Sequence, residues 1–520
     1  MSAIIKKIKL QNYKRFKDYM IEPNERMNII VGDNEVGKSS ILEAIDLVSS
    51  GNIKKVESIG LERLICSESI DEYKKNAKYE NLPVMTIELF LGGDFDHTMN
   101  GKNNHLGEAC DGIRLVCSPN DDYRNEIIDV ISTDADSFPY EYYSIRFSTF
   151  ADEGYSGYKK KIKSVLINNM NMNSGYATNE FIQRMYNQYT EENIKERAAH
   201  RSKYRQMKEQ FCRDNFEALN NRVSNDKDYS FGLDSKQTKL FNQDLMIYED
   251  SVAIDNKGTG RQVIIKTDFA LEKAGENIDV ILIEEPENHL SHGNLKKLVK
   301  TISETQSGQI FITTHNSLIS TRLELENLLI LSDNKTDKPL SLQELSKDTS
   351  NYFLKAPPAG ILEFVLSSRV ILVEGPSEYI LFDKFYEEVT GRKLDSDNVH
   401  VMDIRGLSFK RYLELAKISG SKIAVVTDND GNFQEKCVEK YKDFQFLANV
   451  QIFFDANNDY QTFEVLLYNS NKGFCDAQFP NDALKFMLAN KTDSALRLLQ
   501  SDASIQVPDY IKRAIEWIKE

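Results

Sequence analysis

The sequence predicts an α/β protein with two parallel sheets, one in the first two thirds of the chain and one in a C-terminal domain, with a helical insertion inside the first. Three observations predict it. A glycine-rich loop at 32–39 lies between an apolar strand and a helix. Two more apolar runs, 279–283 and 309–313, end in acidic residues and in a histidine. From 370 to 454 short apolar strands alternate with helical segments, the pattern of a parallel sheet covered by helices.

At 520 residues the chain exceeds one ordinary hydrophobic core, so two or three domains are expected. Apolar residues make up 41% and charged residues 28%, as in globular proteins that live in water. No apolar run reaches the ~18 residues of a membrane span, and the start MSAIIKKIKLQNYKRF has neither the apolar core nor the cleavage site of a signal peptide. The six cysteines are scattered with no CxxC pair, which indicates neither a disulfide framework nor a zinc site. A cytoplasmic, thiol-reduced protein is the economical reading. A net charge of −15 argues against general stickiness for nucleic acid, while leaving local contacts with phosphates open.

The first element is VGDNEVGKSSILEAI. Gly32, four spacers, then Gly37-Lys38-Ser39 form a phosphate-binding loop, with 27–31 as the strand before it and 40–45 as the helix after it. Glycines let backbone amides approach phosphate, and a helix N-terminus favours negative charge. Gly32, Asn34, Gly37, Lys38, Ser39 and Ser40 are the candidate nucleotide contacts, with Lys38 on the β- and γ-phosphates and Ser39 on Mg²⁺. The strand 279–283 ends in Glu284-Glu285-Pro286-Glu287. Two acids at a strand's carboxyl end are where an ATPase places a Mg²⁺-supporting acid and a water-activating base; an isolated pair would be a surface turn. The strand 309–313 leads to His315, within reach of a γ-phosphate. A glycine-rich turn, KGTGRQ, falls at 257–262.

Between loop and turn, 80–150 reads as β-rich and 157–222 as helical. Sustained apolar heptads are missing, so a short helical insertion is expected rather than a long coiled coil. Lys195, Arg197, Arg201, Lys203, Arg205 and Lys208 are interrupted by one acid, Glu196. This reads as a solvated face or dimer contact, or as a DNA-backbone patch.

These pieces, in order, resemble the ATP-binding cassette (ABC) ATPase head, in the branch that includes the SMC and RecF-like proteins. By that resemblance Glu284 stands where the Walker B aspartate usually does, and Glu285 is the catalytic base. Thr259-Gly260-Arg261-Gln262 matches the signature, with Thr for the usual Ser, giving Thr259, Gly260 and Gln262 as nucleotide contacts and His315 as the switch histidine. In that family one head's signature completes another head's ATP site, which implies a homo-oligomer, a dimer or tetramer. No Q-loop glutamine is placed.

The polar stretch before 368, with Pro357-Pro358, marks a domain boundary near 345–368. Beyond it the expected strands are 370–373, 398–403, 422–427 and 450–454, with helices at 377–389 and 409–418. Sites gather at the carboxyl ends of such strands. Glu374 and Glu378 follow one strand and Asp428 and Asp430 another. Four acids without basic partners repel unless cations neutralise them, and hard oxygen ligands suit Mg²⁺ or Mn²⁺. Two such ions can activate water and stabilise a leaving oxygen in phosphodiester cleavage.

VEGPSE and TDND resemble the glutamate and Asp-x-Asp motifs of the Toprim fold. A head followed by a Toprim domain resembles the overcoming-lysogenization-defect (OLD) family nucleases over roughly 1–500. The resemblance adds Glu464, in TFEVLLY, as a metal ligand, and Lys491, in NKTDSALRLL, as a catalytic lysine, with Asp493 as a candidate helper. It implies an ATP-dependent, metal-dependent DNA endonuclease in antiviral defence, acting alone, beside a helicase as in Gabija, or as a retron effector with a reverse transcriptase and its DNA–RNA product. The rivals are an ATP-gated DNA sensor or clamp that does not cut, and an ABC-type repair ATPase. The expected domains are 1–156 and 229–350 for the two parts of the head, 157–228 for the insertion and 365–520 for Toprim.

Overall fold

The computed structural model describes residues 3–133, 137–157, 161–168, 182–183, 185–187, 189–190, 193–224, 230–233, 238–272, 278–288, 290–305, 308–332, 337–355, 360–404, 408–479, 482–501 and 503–520. The chain divides into two compact units, Met1–Asn28 with Ser39–Thr314, and Ile29–Lys38 with His315–Glu520. This differs from the expected division. The phosphate loop groups with the C-terminal unit, and that unit begins at His315 rather than near 365.

In the first unit an antiparallel sheet runs in the order Phe16–Ile21, Ile4–Tyr13, Met85–Gly92, Cys110–Pro119, with Tyr143–Thr149 also on the last of these. Three parallel strands accompany it, Ser164–Asn168, Val280–Glu284 and Gln309–Thr313. The last two are buried at every position, as continuous apolar strands in a parallel sheet should be. Gln309 ties the two sets together. Its side chain accepts from the Ile5 amide at 2.8 Å and donates to the carbonyls of Ile5 at 2.9 Å and Asn24 at 2.8 Å.

The insertion contributes a helix Ile194–Ser224 of 31 residues, about 46 Å long. Most of its basic residues are exposed. One expectation fails here. Residues 164–168, taken as part of a helical segment, are a strand, with Val280 opposite Ser164 and Glu284 opposite Asn168. Five residues of SVLIN are too short for periodicity to separate strand from helix, and pairing with a buried strand decides.

In the second unit four strands lie parallel in the order Val399–Asp403, Arg369–Val373, Lys422–Val426, Val450–Phe453. The first connection runs to one side of Arg369–Val373 and the next crosses to the other. A topological switch point therefore falls between Arg369–Val373 and Lys422–Val426, and in open parallel sheets ligands bind outside the carboxyl ends of strands at such a point. The helices Pro376–Thr390 and Asp509–Lys519 supply apolar faces, with Leu381, Phe382, Phe385, Ile511, Ile515 and Ile518 in one core with Val373 and Val426. The stretch near 345–368, expected as a boundary, packs instead: Phe353 and Phe364 each set a ring edge-on against Tyr412. The Pro pair itself lies outside the described residues. Among those residues no helix is long and apolar enough to cross a membrane.

Candidate functional site

The phosphate loop is shaped by close approach. Gly32 lies opposite Leu331 in the pairing with Leu328–Leu331. A Cβ on it would stand 2.7 Å from the Leu331 carbonyl oxygen and 2.6 Å from Val36 Cγ2, so only glycine fits. Gly37 has φ of 96°, which suits glycine alone. Lys38 is buried, and its Nζ donates to the carbonyls of Gly32 at 2.9 Å and Asp33 at 2.7 Å. The ammonium is folded into its own loop, where a phosphate would compete with those carbonyls for it. Asn34 and Ser39 are exposed and Ser40 is half-buried.

Ser39 opens the body of the helix Lys38–Ser50 and hydrogen-bonds the buried Glu284 carboxylate. Burial pushes Glu284 above the usual carboxylate range; Ser39 and Lys14 pull it down, and Glu285 and Glu43 push it up. Glu43 in turn pairs with Lys14 and accepts from the Tyr13 hydroxyl at 3.0 Å. Three carboxylates and a hydroxyl against one ammonium are a donor set that suits the Mg²⁺ of a bound nucleotide. Glu43 was not foreseen, though it lies one helical turn past Ser39. Glu285 turns the chain with φ of 40°; its amide donates to the Thr313 carbonyl at 2.9 Å, and Asn288 Nδ2 donates to its Oε2 at 2.7 Å.

The signature segment starts the helix Thr259–Glu272. Thr259 and Gly260 are half-buried at its first turn. Gln262 is buried, with its Nε2 donating to the Lys257 carbonyl at 2.9 Å, so it braces the turn that presents Thr259. Arg261 and Lys257 share the Glu249 carboxylate, which they hold down at about 2. His315 is exposed, next after Thr314.

In the second unit the carboxylates flank the switch point. Glu374 follows Arg369–Val373, and its Oε1 accepts from the Thr427 hydroxyl and, at 3.1 Å, from the Asp428 amide. The two strand ends are thereby laced together. Glu378 sits in the first turn of Pro376–Thr390 and Glu464 in the first turn of Phe463–Ser470, both buried. Burial pushes Glu378 up to about 8, with Glu464 and Glu374 adding to it. Burial pushes Asp428 up to about 9, with Glu374, Glu378 and Glu464 adding to it. Lys491 opposes both. Its Nζ donates to Glu464 Oε2 at 2.9 Å. Burial works to lower this ammonium, but Glu464, Asp428 and Glu378 outweigh it and raise it.

So Glu374, Glu378, Asp428, Glu464 and Lys491 share one electrostatic environment. Asp430 is exposed with φ of 47°, its amide held by the Gln461 carbonyl at 3.2 Å. Asp493 is exposed on the first turn of Lys491–Gln500. Among the described residues no group of three or more His, Cys, Asp or Glu side chains is drawn together tightly enough to hold a metal ion as it stands. The chemistry of the donor set nonetheless fits a cation, because four neighbouring carboxylates, two of them buried, have one ammonium to balance them.

Tyr510 also belongs to this environment. It is buried beneath the acids on the C-terminal helix; burial, then Asp428, Glu378 and Glu374, push its hydroxyl well above the usual range. The signal was present in the sequence, since Tyr510, Ile511, Ala514, Ile515 and Ile518 mark one helical face.

Comparison with known proteins finds ATPase and Toprim domains in the chain. Residues 365–430 match the model of the overcoming lysogenization defect protein-like TOPRIM domain, 4–244 an AAA ATPase domain, and 266–321 an AAA domain described as putative AbiEii toxin, Type IV TA system. Endonuclease GajA of Bacillus cereus (strain VD045) is 26% identical over 188 residues, 35% of this chain and 32% of GajA. The DNA replication and repair protein RecF of Ruminiclostridium cellulolyticum is 28% identical over 110 residues, 17% of this chain and 30% of that protein. The chain thus spans about a third of the length of each curated relative. The C-terminal region of the Burkholderia pseudomallei OLD protein aligns at 16% identity over 29% of this chain and 97% of that one, with a TM-score of 0.25. That superposition is too loose to bear on the site. The matches thus give an AAA-type ATPase domain followed by a Toprim domain similar to that of the OLD proteins.

Proposed function

We propose that the protein is an ATP-regulated, divalent-metal-dependent DNA endonuclease that acts against foreign DNA. The observation that carries this reading is the set of acids at the switch point, Glu374, Glu378, Asp428 and Glu464, opposed by Lys491 alone. These acids, with Asp430, would hold Mg²⁺ or Mn²⁺, which supplies charge neutralisation and an activated water when bound. Lys491, directed by its hydrogen bond to Glu464, would balance charge developing on a phosphate. ATP would bind the phosphate loop through Lys38 and Ser39, with Glu284 as the Mg²⁺-supporting acid and Glu285 as base. The signature at Thr259 and Gly260 would serve a second copy's nucleotide. A helicase, or a reverse transcriptase with its DNA–RNA product, is the kind of partner this reading admits.

A second reading, an ATP-gated clamp that binds DNA without cutting it, draws on the absence of a ready-made ligating trio among the described residues. One experiment separates the two. The purified chain is incubated with plasmid DNA and MgCl₂ or MnCl₂, with and without ATP. Nicking or linearisation that EDTA stops, and that Asp428→Ala and Glu374→Ala abolish while ATP binding persists, is the expected result. Cleavage that survives both substitutions refutes the site assignment.

A further inference from the structure

We propose that the carboxyl edge of the Toprim sheet carries a base-stacking platform, Phe433 with Phe454, so that the strand presented to the acids is single-stranded or locally unpaired DNA. This deepens the nuclease reading and rests on it for the location of the scissile phosphate.

The platform stands on register. Val426 lies opposite Phe453 in the parallel pairing, and the Thr427 amide donates to the Phe453 carbonyl at 3.1 Å. Phe454 therefore leaves its strand at the level of Thr427, the residue before Asp428, on the neighbouring strand about 5 Å away. Phe433 follows five residues after Asp428. Its ring lies nearly parallel to that of Phe454, with an interplanar angle of 18° and centroids 5.9 Å apart. Both residues are only half-buried. A stacked aromatic pair left partly open to solvent at a strand edge offers a π-face to a planar ligand.

The loops that hold the pair are braced against each other. Asn429 is buried, and its Nδ2 donates to the carbonyls of Asp455 and Asn457, each at 2.9 Å. Its Oδ1 accepts from the Gly431 amide at 2.9 Å. The Phe433 amide donates to Asn458 Oδ1 at 3.1 Å, and Arg513 Nη2 donates to the Phe454 carbonyl at 3.2 Å. The rings are set before any ligand arrives, which lowers the ordering cost of binding.

Charge says what the platform takes. From 423 to 435, and again from 444 to 471, the chain has no lysine or arginine, while it carries Asp428, Asp430, Glu435, Asp455, Asp459 and Glu464. Those edge loops carry no basic side chain of their own with which to grip a duplex by its phosphates, and Arg513 beside them is engaged on the Phe454 carbonyl. Their remaining contacts are rings and amides, with Asn432, Asn457 and Asn458 exposed beside the phenylalanines. Stacking of bases on aromatic faces, with amides to reach base edges, is how single strands are held. Only an unpaired base has a face to offer.

The test separates stacking from cutting. The full-length chain is titrated in Ca²⁺ into a single-stranded oligonucleotide carrying 2-aminopurine, and into the same oligonucleotide in a perfect duplex. Expected is quenching of the single strand, with affinity at least tenfold above that for the duplex. Phe433→Leu and Phe454→Leu, which keep an apolar contact between the loops, should each weaken the single-strand complex by about tenfold and remove the quenching. Phe433→Tyr, which keeps the ring, should retain both. Equal affinity for duplex and single strand, or quenching unchanged in the leucine variants, overturns the proposal. Because binding is read in Ca²⁺, a protein that quenches but never cuts with Mg²⁺ or Mn²⁺ sinks the nuclease reading and leaves the platform standing.

Discussion

Lys491 and Glu464 form an ion pair at 2.9 Å in which the lysine is 51% exposed and the glutamate 3%. The exposed end is free to meet a substrate while the buried end cannot move. Lys491→Ala should leave Glu464 buried among other acids, and cleavage should fall by ~10²-fold or more if the ammonium stabilises the transition state. Nuclease rates at saturating DNA check this. Because the pair is half solvated, its stability coupling should be only about 1 kcal/mol, read from a double-mutant cycle of Lys491→Met with Glu464→Gln.

The crowding at the switch point predicts a stability gain from a neutral substitution. Burial and its acidic neighbours make the charged form of Glu378 costly. In EDTA, Glu378→Gln should raise the melting temperature by about 2–4 °C, the shift expected for ~1 kcal/mol in a unit of this size. Cleavage should be lost in the same variant. A protein that is less stable and still active would show that Glu378 is neither strained nor needed.

At the phosphate loop, Gly32→Ala places a methyl against the Leu331 carbonyl and should weaken ATP binding severely. Lys38→Ala should abolish ATP binding. Calorimetric titration with a non-hydrolysable analogue measures both. The two variants should differ in melting temperature, since only the first disturbs a buried strand pairing.

Glu285 is held by Asn288 and by the turn at φ of 40°. Glu285→Gln should keep ATP affinity and trap the nucleotide, with hydrolysis reduced by ~10²-fold or more, the scale on which a positioned base acts. Hydrolysis at the wild-type rate would remove Glu285 as the base.

In the proposed reading the signature at Thr259, braced by Gln262, would serve a nucleotide on another chain. Light scattering at micromolar concentration should show a dimer or a larger even assembly, and Thr259→Arg should reduce hydrolysis without reducing ATP binding. A monomer with and without ATP would count against a shared site.

The C-terminal sheet was readable in the sequence almost to the residue. Arg369–Val373, Val399–Asp403, Lys422–Val426 and Val450–Phe453 are each announced by three or four apolar residues, and two of the strand ends carry the candidate acids. What escaped detection depended on partners distant in sequence. Ser164–Asn168 is a strand only because Val280–Glu284 lies beside it, and its preceding lysines suggested a helix. Phe353 and Phe364 looked like linker residues beside a Pro pair, but Tyr412 gathers them. Tyr510 carried a helical periodicity, but nothing local says that this face lies beneath the acids. The same limit explains Phe433 and Phe454, whose stacking depends on which strand neighbours which.

The pairing of Gly32 with Leu331 also sets a timetable. The loop is synthesised first, and the strand that supports it follows about 300 residues later. At typical translation rates that is a wait of roughly 15–60 s, during which the apolar strand Met27–Gly32 has no partner on that side. A nascent or prematurely terminated chain that stops short of Leu331 therefore lacks a finished phosphate loop. Truncated products should be clients of chaperones and proteases, and unable to bind ATP.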